Sequence, residues 1–214
     1  MTEDSAINPR QQKIESFLND LGSSKPAPGG GSAAAVAGGL AAALSSMVAN
    51  LTIGKDEYSV VEERHREIRE RAGELQDSFL TAIGEDIAAY NNVMDAYGLP
   101  KETEEQKEDR RKKIQSALKR ATEPPFKMAE LAGEVLELSK ECAETGNAHA
   151  VTDAGASALL AEATVRTSLL NVDINLSSIK DQDFVEKNQV RREELSQSAG
   201  EEAQQVLEIM NEKM

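Results

Sequence analysis

Few residues in this chain are placed to do chemistry, and Asp86 is the most informative of them. It follows Phe79 by seven residues and Ile83 by three, and it precedes Tyr90 by four. That spacing puts it on the apolar stripe of a helix. A carboxylate there loses hydration, its pKa rises, and it can give or take a proton near neutral pH. The alternative is a structural carboxylate hydrogen-bonded to a neighbouring helix end. Asp153 opens the small-residue run Ala154-Gly155-Ala156-Ser157-Ala158. It reads as a helix N-cap that can also face a ligand. Asn171 and Asn175 lie one turn apart on one face, and Asn50 falls late in a helix expected to be buried. Amides offer donors and acceptors without charge, which suits a heteroaromatic ring edge as well as interhelical bonding. Lys55 and Lys180 close two helices, where the dipole alone favours cations.

The second chemical feature is the loop Pro26-Ala27-Pro28-Gly29-Gly30-Gly31-Ser32. Proline and consecutive glycines exclude helix interior, and Ser32 reads as the N-cap of the small-residue helix after it. Bare N–H groups at such a helix start can hold an anion or a polar ligand. The loop is not a P-loop, because no Lys-Ser or Lys-Thr pair stands at the required offset after the glycines. Metal chemistry is not expected. His65 and His149 form no constellation, and HExxH and CxxC patterns are absent. His65 lies among charged residues and is expected to be exposed.

These residues need helices to position them. The 214 residues carry a net charge of −14, no tryptophan, six prolines and an Ala/Leu/Glu/Lys-rich composition. That predicts one all-α domain over residues 1–214. The acidity opposes nucleic-acid and anionic-membrane binding. The single cysteine, Cys142, reads as a buried structural thiol and suits a reducing cytoplasm. The N-terminal MTEDSAINPR is polar and acidic, unlike a signal peptide.

Ile14, Phe17, Leu18 and Leu21 mark a first amphipathic helix closed by Gly22. From Ala33 an uncharged helix of about six turns runs toward Lys55. It is long enough to span a bilayer, but its Ala, Gly, Ser and Asn content reads as a buried soluble helix. A long helix is expected from Asp56 to Tyr97, a very polar one from Glu102 to Ala121, and another from Pro124-Pro125 to Gly146. A second small-residue helix is expected from Asp153 to Lys180, and a charged one from Phe184 to Asn211. The basic run Arg110 to Lys113 reads as solvated, with a landing site for an acidic ligand tail as the alternative. Asn50-Leu51-Thr52-Ile53-Gly54-Lys55 is echoed by Asn175-Leu176-Ser177-Ser178-Ile179-Lys180, as if two similar helices lay side by side at corresponding heights.

The glycine loop, the small-residue helix and Met47 to Lys55 together resemble the formiminotransferase-cyclodeaminase C-terminal domain family. Glu85-Asp86-Ile87-Ala88-Ala89-Tyr90 through Leu99-Pro100-Lys101, Ile114 to Pro125, and Gly146-Asn147 to Thr152-Asp153-Ala154-Gly155 extend the resemblance over nearly the whole chain. Thr152 stands where serine is usual. The resemblance implies an all-α homodimer and a reduced-folate substrate. It implies either hydrolysis of 5,10-methenyltetrahydrofolate to 10-formyltetrahydrofolate or closure of 5-formimidoyltetrahydrofolate with loss of ammonia. Neither reaction needs a metal or redox cofactor. In that frame Asp86, Asp153 and Lys55 are the catalytic candidates. Gly29, Gly30, Gly31, Ser32, Asn50, Lys101, Asn171 and Asn175 are the substrate-binding candidates, with Lys55 or Lys101 meeting the glutamate tail. A stretch of 214 residues without a formiminotransferase domain leans the expectation to the cyclohydrolase. A noncatalytic helical folate-binding or scaffold protein is the alternative of a different class.

Overall fold

A computed structural model describes residues 11–214, and it contains helices and no strand among them. Seven α-helices succeed one another: α1 (Ile14–Leu21), α2 (Gly30–Thr52), α3 (Glu62–Gly98), α4 (Glu104–Ala121), α5 (Glu123–Thr145), α6 (Val151–Leu176) and α7 (Gln182–Lys213). Short 3-10 turns, Asp56–Tyr58 and Ala148–Ala150, precede α3 and α6. The all-α expectation holds, and the helix starts differ from it in informative ways. α2 begins two residues before Ser32, with Gly29 as an N-cap that makes no side-chain bond. Asp153 sits inside the first turn of α6, and Ala150 is the N-cap. Asp56 belongs to a separate turn, so α3 starts later than its charge pattern suggests. α4 is opened by a capping box between Thr103 and Gln106. Pro124 and Pro125 fall in the first turn of α5, where a missing N–H costs nothing.

α2 packs chiefly on α3 and α6, and α6 on α5 and α2. Small residues permit these approaches. A Cβ on Gly38 would overlap the Phe79 ring of α3, and one on Gly155 would overlap Met210 of α7. Phe79 and Phe126 are fully buried, each worth about 1.5–3 kcal/mol of transfer free energy. Three buried hydroxyls meet where α2, α5 and α6 cross. Ser45, Ser139 and Ser157 lie 2.8–3.2 Å apart. Ser139 also donates to Val135 O and Ser157 to Ala41 O, both at 2.7 Å. The node closes its own hydrogen bonds, so three polar groups stay buried without penalty.

α2 and α6 run antiparallel. Thr164 Oγ1 donates to Ala34 O (3.4 Å), Ser157 Oγ to Ala41 O (2.7 Å) and Asn147 N to Thr52 Oγ1 (2.9 Å). The echoed segments ending in Lys55 and Lys180 therefore lie at opposite ends of the bundle and are not at corresponding heights. α2 is long and apolar enough to cross a membrane by length and composition, with mean hydropathy 1.6. Its buried side is committed to α3, α5 and α6.

His65 corrects another expectation. It is 0% exposed, and its Nε2 lies 3.1 Å from Thr145 Oγ1 of α5. The stripe 65, 68, 72, 75, 79 on α3 alternates steps of three and four, and all five side chains are buried. His65 belongs to that stripe despite its charged sequence neighbours. Those neighbours bind outward across the same seam: Arg64 forks onto Glu141 at 2.6 Å and Arg71 reaches Glu134 at 2.5 Å. Such exposed pairs contribute roughly 0–1 kcal/mol each. Cys142 is buried as expected, and burial pushes its thiol up to about 12.

Candidate functional site

The glycine loop delivers the start of α2 to the middle of α3. The Ala27–Pro28 peptide is cis, and the helix begins with Gly30 and Gly31. A Cβ on Gly31 would overlap the Asp86 carboxylate, so glycine is what lets that side chain sit against the first turn of α2. Ser32 is fully buried and donates from Oγ to Asp86 Oδ2 at 3.2 Å. Its backbone N–H also bonds the Asp86 carboxylate. Asp86 is thus the capping group of α2, supplied by another helix, while Ser32 holds it from within the first turn. The helix-end reading and the ligand-facing reading describe one and the same carboxylate.

Asp86 is half-buried. Burial raises its pKa above the usual carboxylate value, and the two Ser32 bonds oppose that rise only in part. It lines a cleft of about 280 Å³ with Tyr90, Tyr97, Asn171, Ile174 and Asn175. Asn171 approaches Gly30: a Cβ there would stand 3.8 Å from Asn171 Nδ2. Asn171 gives its N–H to Thr167 O (2.9 Å), and Asn175 gives its own to Ala121 O (2.9 Å) and Asn171 O (3.0 Å). The side-chain carbonyls are then the acceptors left for a ligand's N–H groups. Apolar and aromatic walls, a few fixed acceptors and one perturbed carboxylate suit a flat, nitrogen-rich ring.

Tyr97 and Ser178 also line a second cleft, of about 850 Å³, which continues from the first. Arg111, Lys112, Lys119 and Lys180 stand around it with Glu108. Arg111 and Lys112 share Glu108 at 2.9 and 3.6 Å, and Lys119 meets Asp181 at 2.6 Å. Four cations against Glu108 make this a basic pocket on an acidic protein.

The structure brings together Gly30, Gly31, Ser32, Asp86, Asn171 and Asn175, with Gly29 as the cap one residue before them. It does not bring Asn50, Lys55 or Asp153 to them. Ser32 and Thr52 are separated by about 30 Å of helix at ~1.5 Å per residue, and Lys55 lies beyond Thr52. Asp153 lies at that same far end, where the Asn147 loop seats on Leu51 O and Thr52. Asn50 is exposed, its amide bonded to Ser46 O at 3.0 Å, because it lies on the side of α2 away from α3 and α5. Lys101 is exposed past the end of α3, about 18 Å of helix beyond Asp86. Sequence reasoning passed over Tyr97, Ile174 and Lys119, and took Tyr90 only as part of the apolar stripe. The signal was present for the tyrosines, four and eleven residues after Asp86 on one helix face. Among the described residues no cluster of three or more His, Cys, Asp or Glu could hold a metal ion.

The formiminotransferase-cyclodeaminase family model matches residues 13–194. The chain is 41% identical over 203 residues to a methenyltetrahydrofolate cyclohydrolase of Methylorubrum extorquens, covering 95% of this chain and 98% of that protein. It is 31% identical over 194 residues to the formimidoyltransferase-cyclodeaminase of Rattus norvegicus, covering 91% of this chain and 36% of that protein. The crystal structure of a formiminotetrahydrofolate cyclodeaminase from Thermotoga maritima superposes with a TM-score of 0.85 at 29% identity, over 94% of this chain and 97% of that one. With the glycine loop, the carboxylate it embraces and this end-to-end similarity in place, the chain belongs to the formiminotransferase-cyclodeaminase family.

Proposed function

We propose that the protein hydrolyses 5,10-methenyltetrahydrofolate to 10-formyltetrahydrofolate. The observation that carries this reading is the half-buried Asp86 carboxylate, held at the mouth of α2 over a tyrosine-lined cleft. It occurs in a chain similar from end to end to a methenyltetrahydrofolate cyclohydrolase. The pterin lies between Tyr90, Tyr97 and Ile174 and gives its N–H groups to the Asn171 and Asn175 carbonyls. The methenyl bridge is an amidinium cation, so Asp86 attracts it. Because the bridge carbon is already electrophilic, neither a metal nor a redox cofactor is needed.

Asp86 takes a proton as water adds to the bridge carbon, which becomes tetrahedral. The C–N5 bond then breaks, N5 receives the proton from Asp86, and the hydroxyl proton leaves to solvent as the formyl C=O forms. One water is consumed and one proton released. The glutamate tail lies in the adjoining basic cleft at Arg111, Lys112, Lys119 and Lys180. This reading moves the tail away from Lys55 and Lys101. The working unit is a homodimer, supported by an uncharged face of α2 left open on the subunit.

The cyclodeaminase is the second reading, and the similarity to the Thermotoga maritima structure favours it. It passes through the same tetrahedral carbon, with ammonia as leaving group. Two incubations separate the readings. Enzyme-dependent loss of the methenyl absorbance band, with no ammonia released from 5-formimidoyltetrahydrofolate, is the expected result. Growth of that band from the formimidoyl substrate with stoichiometric ammonia, without hydrolysis of the methenyl compound, would reverse the assignment.

A further inference from the structure

The two clefts share two lining residues, Tyr97 at the end of α3 and Ser178 just after α6. Both are fastened to α4. In the basic run of α4, Arg111, Lys112 and Lys113 pair with Glu108 or Asp109 of the same helix. Arg110 reaches back to α3 instead. Its Nη2 and Nε donate to Tyr97 O at 2.9 and 3.3 Å, and its guanidinium carbon lies 5.8 Å from the centre of the Tyr97 ring. That carbonyl is one of those a helix end leaves without an intrahelical partner, so capping alone explains the first contact. It does not explain the second, in which the cation attracts the ring face. Further along α4, Gln115 holds the other wall. Its Nε2 donates to Ser178 O at 2.9 Å, and its Oε1 accepts from Lys180 N at 2.7 Å. α4 therefore sets the distance between the two walls of the border.

Building on the folate reading, we propose that this border is a subsite for the aromatic ring that joins a pterin to its glutamate tail, with Arg110 and Gln115 as positioning residues. The Asp86 cleft, at about 280 Å³, is small for the whole ligand, since ligands of that size fill roughly 300–1,000 Å³. With its bridge at Asp86 and its tail among the cations, the ligand occupies both clefts and passes between Tyr97 and Ser178. Tyr97 lies about 16 Å along α3 from Asp86. Helical side chains lean toward the N-terminus, so its ring returns over the turn of Val93, which also lines the cleft. The segment that crosses there is the planar ring between the bridge and the first carboxylate. Aromatic rings attract one another through their quadrupoles as well as by burial, which makes tyrosine a fitting wall. Tyr97 is 42% exposed, so packing alone does not fix it. Arg110 does, from the end of α3, and Gln115 keeps Ser178 at the matching height. Tyr97 touches the ligand; Arg110 acts through Tyr97, and Gln115 through Ser178.

Titration calorimetry with three ligands of increasing length tests this. They are 6-methyltetrahydropterin, tetrahydropteroate, which adds the ring as its benzoate, and tetrahydrofolate, which adds the glutamate. None carries a one-carbon bridge, so the identity of the reacting folate does not enter. The gain in affinity from the pterin to the pteroate reports the subsite. Tyr97→Leu should cut that gain about 10-fold, and Tyr97→Phe, which keeps the ring, should preserve it. Arg110→Ala should cut it about 3-fold in the wild-type background and not at all in Tyr97→Leu, where no ring is left to hold. Gln115→Ala should cut it in both backgrounds. Arg111→Glu with Lys112→Glu should instead lower the gain from the pteroate to the folate. Three results would overturn the subsite and leave the folate reading standing: a pteroate bound no more tightly than 6-methyltetrahydropterin, an undiminished gain in Tyr97→Leu, or equal losses from Arg110→Ala in the two backgrounds. Wild-type protein that binds none of the three ligands would refute the folate reading itself.

Discussion

At Asp86 one carboxylate caps α2 and faces the cleft, so its neighbours set its proton affinity. Ser32 bonds the ionised form and holds its pKa down against burial. Ser32→Ala removes that help, and the acid limb of kcat/KM should move to higher pH than in the wild type. An unmoved limb, or one moved lower, would show that Asp86 does not titrate in the reaction. His65 answers to pH through stability. Burial lowers its pKa more than a bond to the Thr145 backbone raises it, with Glu141 and Arg64 beside it acting in opposite senses. A folded pKa below the unfolded value of about 6.5 means that the unfolded chain binds more protons. Stability is therefore full above about pH 6.5 and falls as pH drops toward the folded value. The difference in Tm between pH 7.5 and 5.5 should be larger in the wild type than in His65→Gln. Equal slopes would place the acid sensitivity elsewhere.

Glycine placement decides how closely helices approach. Gly38 accommodates the Phe79 ring, so Gly38→Ala should lower stability by about 1–3 kcal/mol, read as a reduced urea midpoint with an unchanged m-value. An unshifted midpoint would mean that α2 and α3 can part without cost. α4 contributes through charge. Arg111→Glu with Lys112→Glu should raise KM for the methenyl substrate at least 10-fold with little change in kcat. A fall in kcat at constant KM would remove the tail from the basic cleft. The helices themselves were legible, because the steps of three and four and the Pro-Gly breaks at 26–31, 98–100 and 124–125 leave little choice. Their starts were less so. Ser32 and Asp153 have the chemistry of N-caps, but helices at Gly30 and Val151 began before them, one capped from across space by Asp86 and the other preceded by a 3-10 turn. Local chemistry does not report a cap supplied by another helix.

The whole molecule brings distant parts of the chain together at one end of the bundle: the start of α2, the middle of α3 and the close of α6. Asp86 was readable as a carboxylate on a buried stripe and the glycine loop as a bare helix mouth, but that the two meet was not, because nothing local reports which helix end a carboxylate reaches. The exclusion of Asn50 and Lys55 from that end follows from the length of the helix the sequence already implied, whereas that of Asp153 was not readable, because only the antiparallel course of α2 and α6 sets its distance. The most direct test tracks the methenyl band of 5,10-methenyltetrahydrofolate at a pH where spontaneous hydrolysis is slow, with wild-type protein and Asp86→Asn side by side. The wild type should discharge the band with 10-formyltetrahydrofolate as product, and Asp86→Asn should do so at least about 100-fold more slowly with its helical circular dichroism intact. Decay at the uncatalysed rate with wild-type protein, or full turnover by Asp86→Asn, would contradict the account.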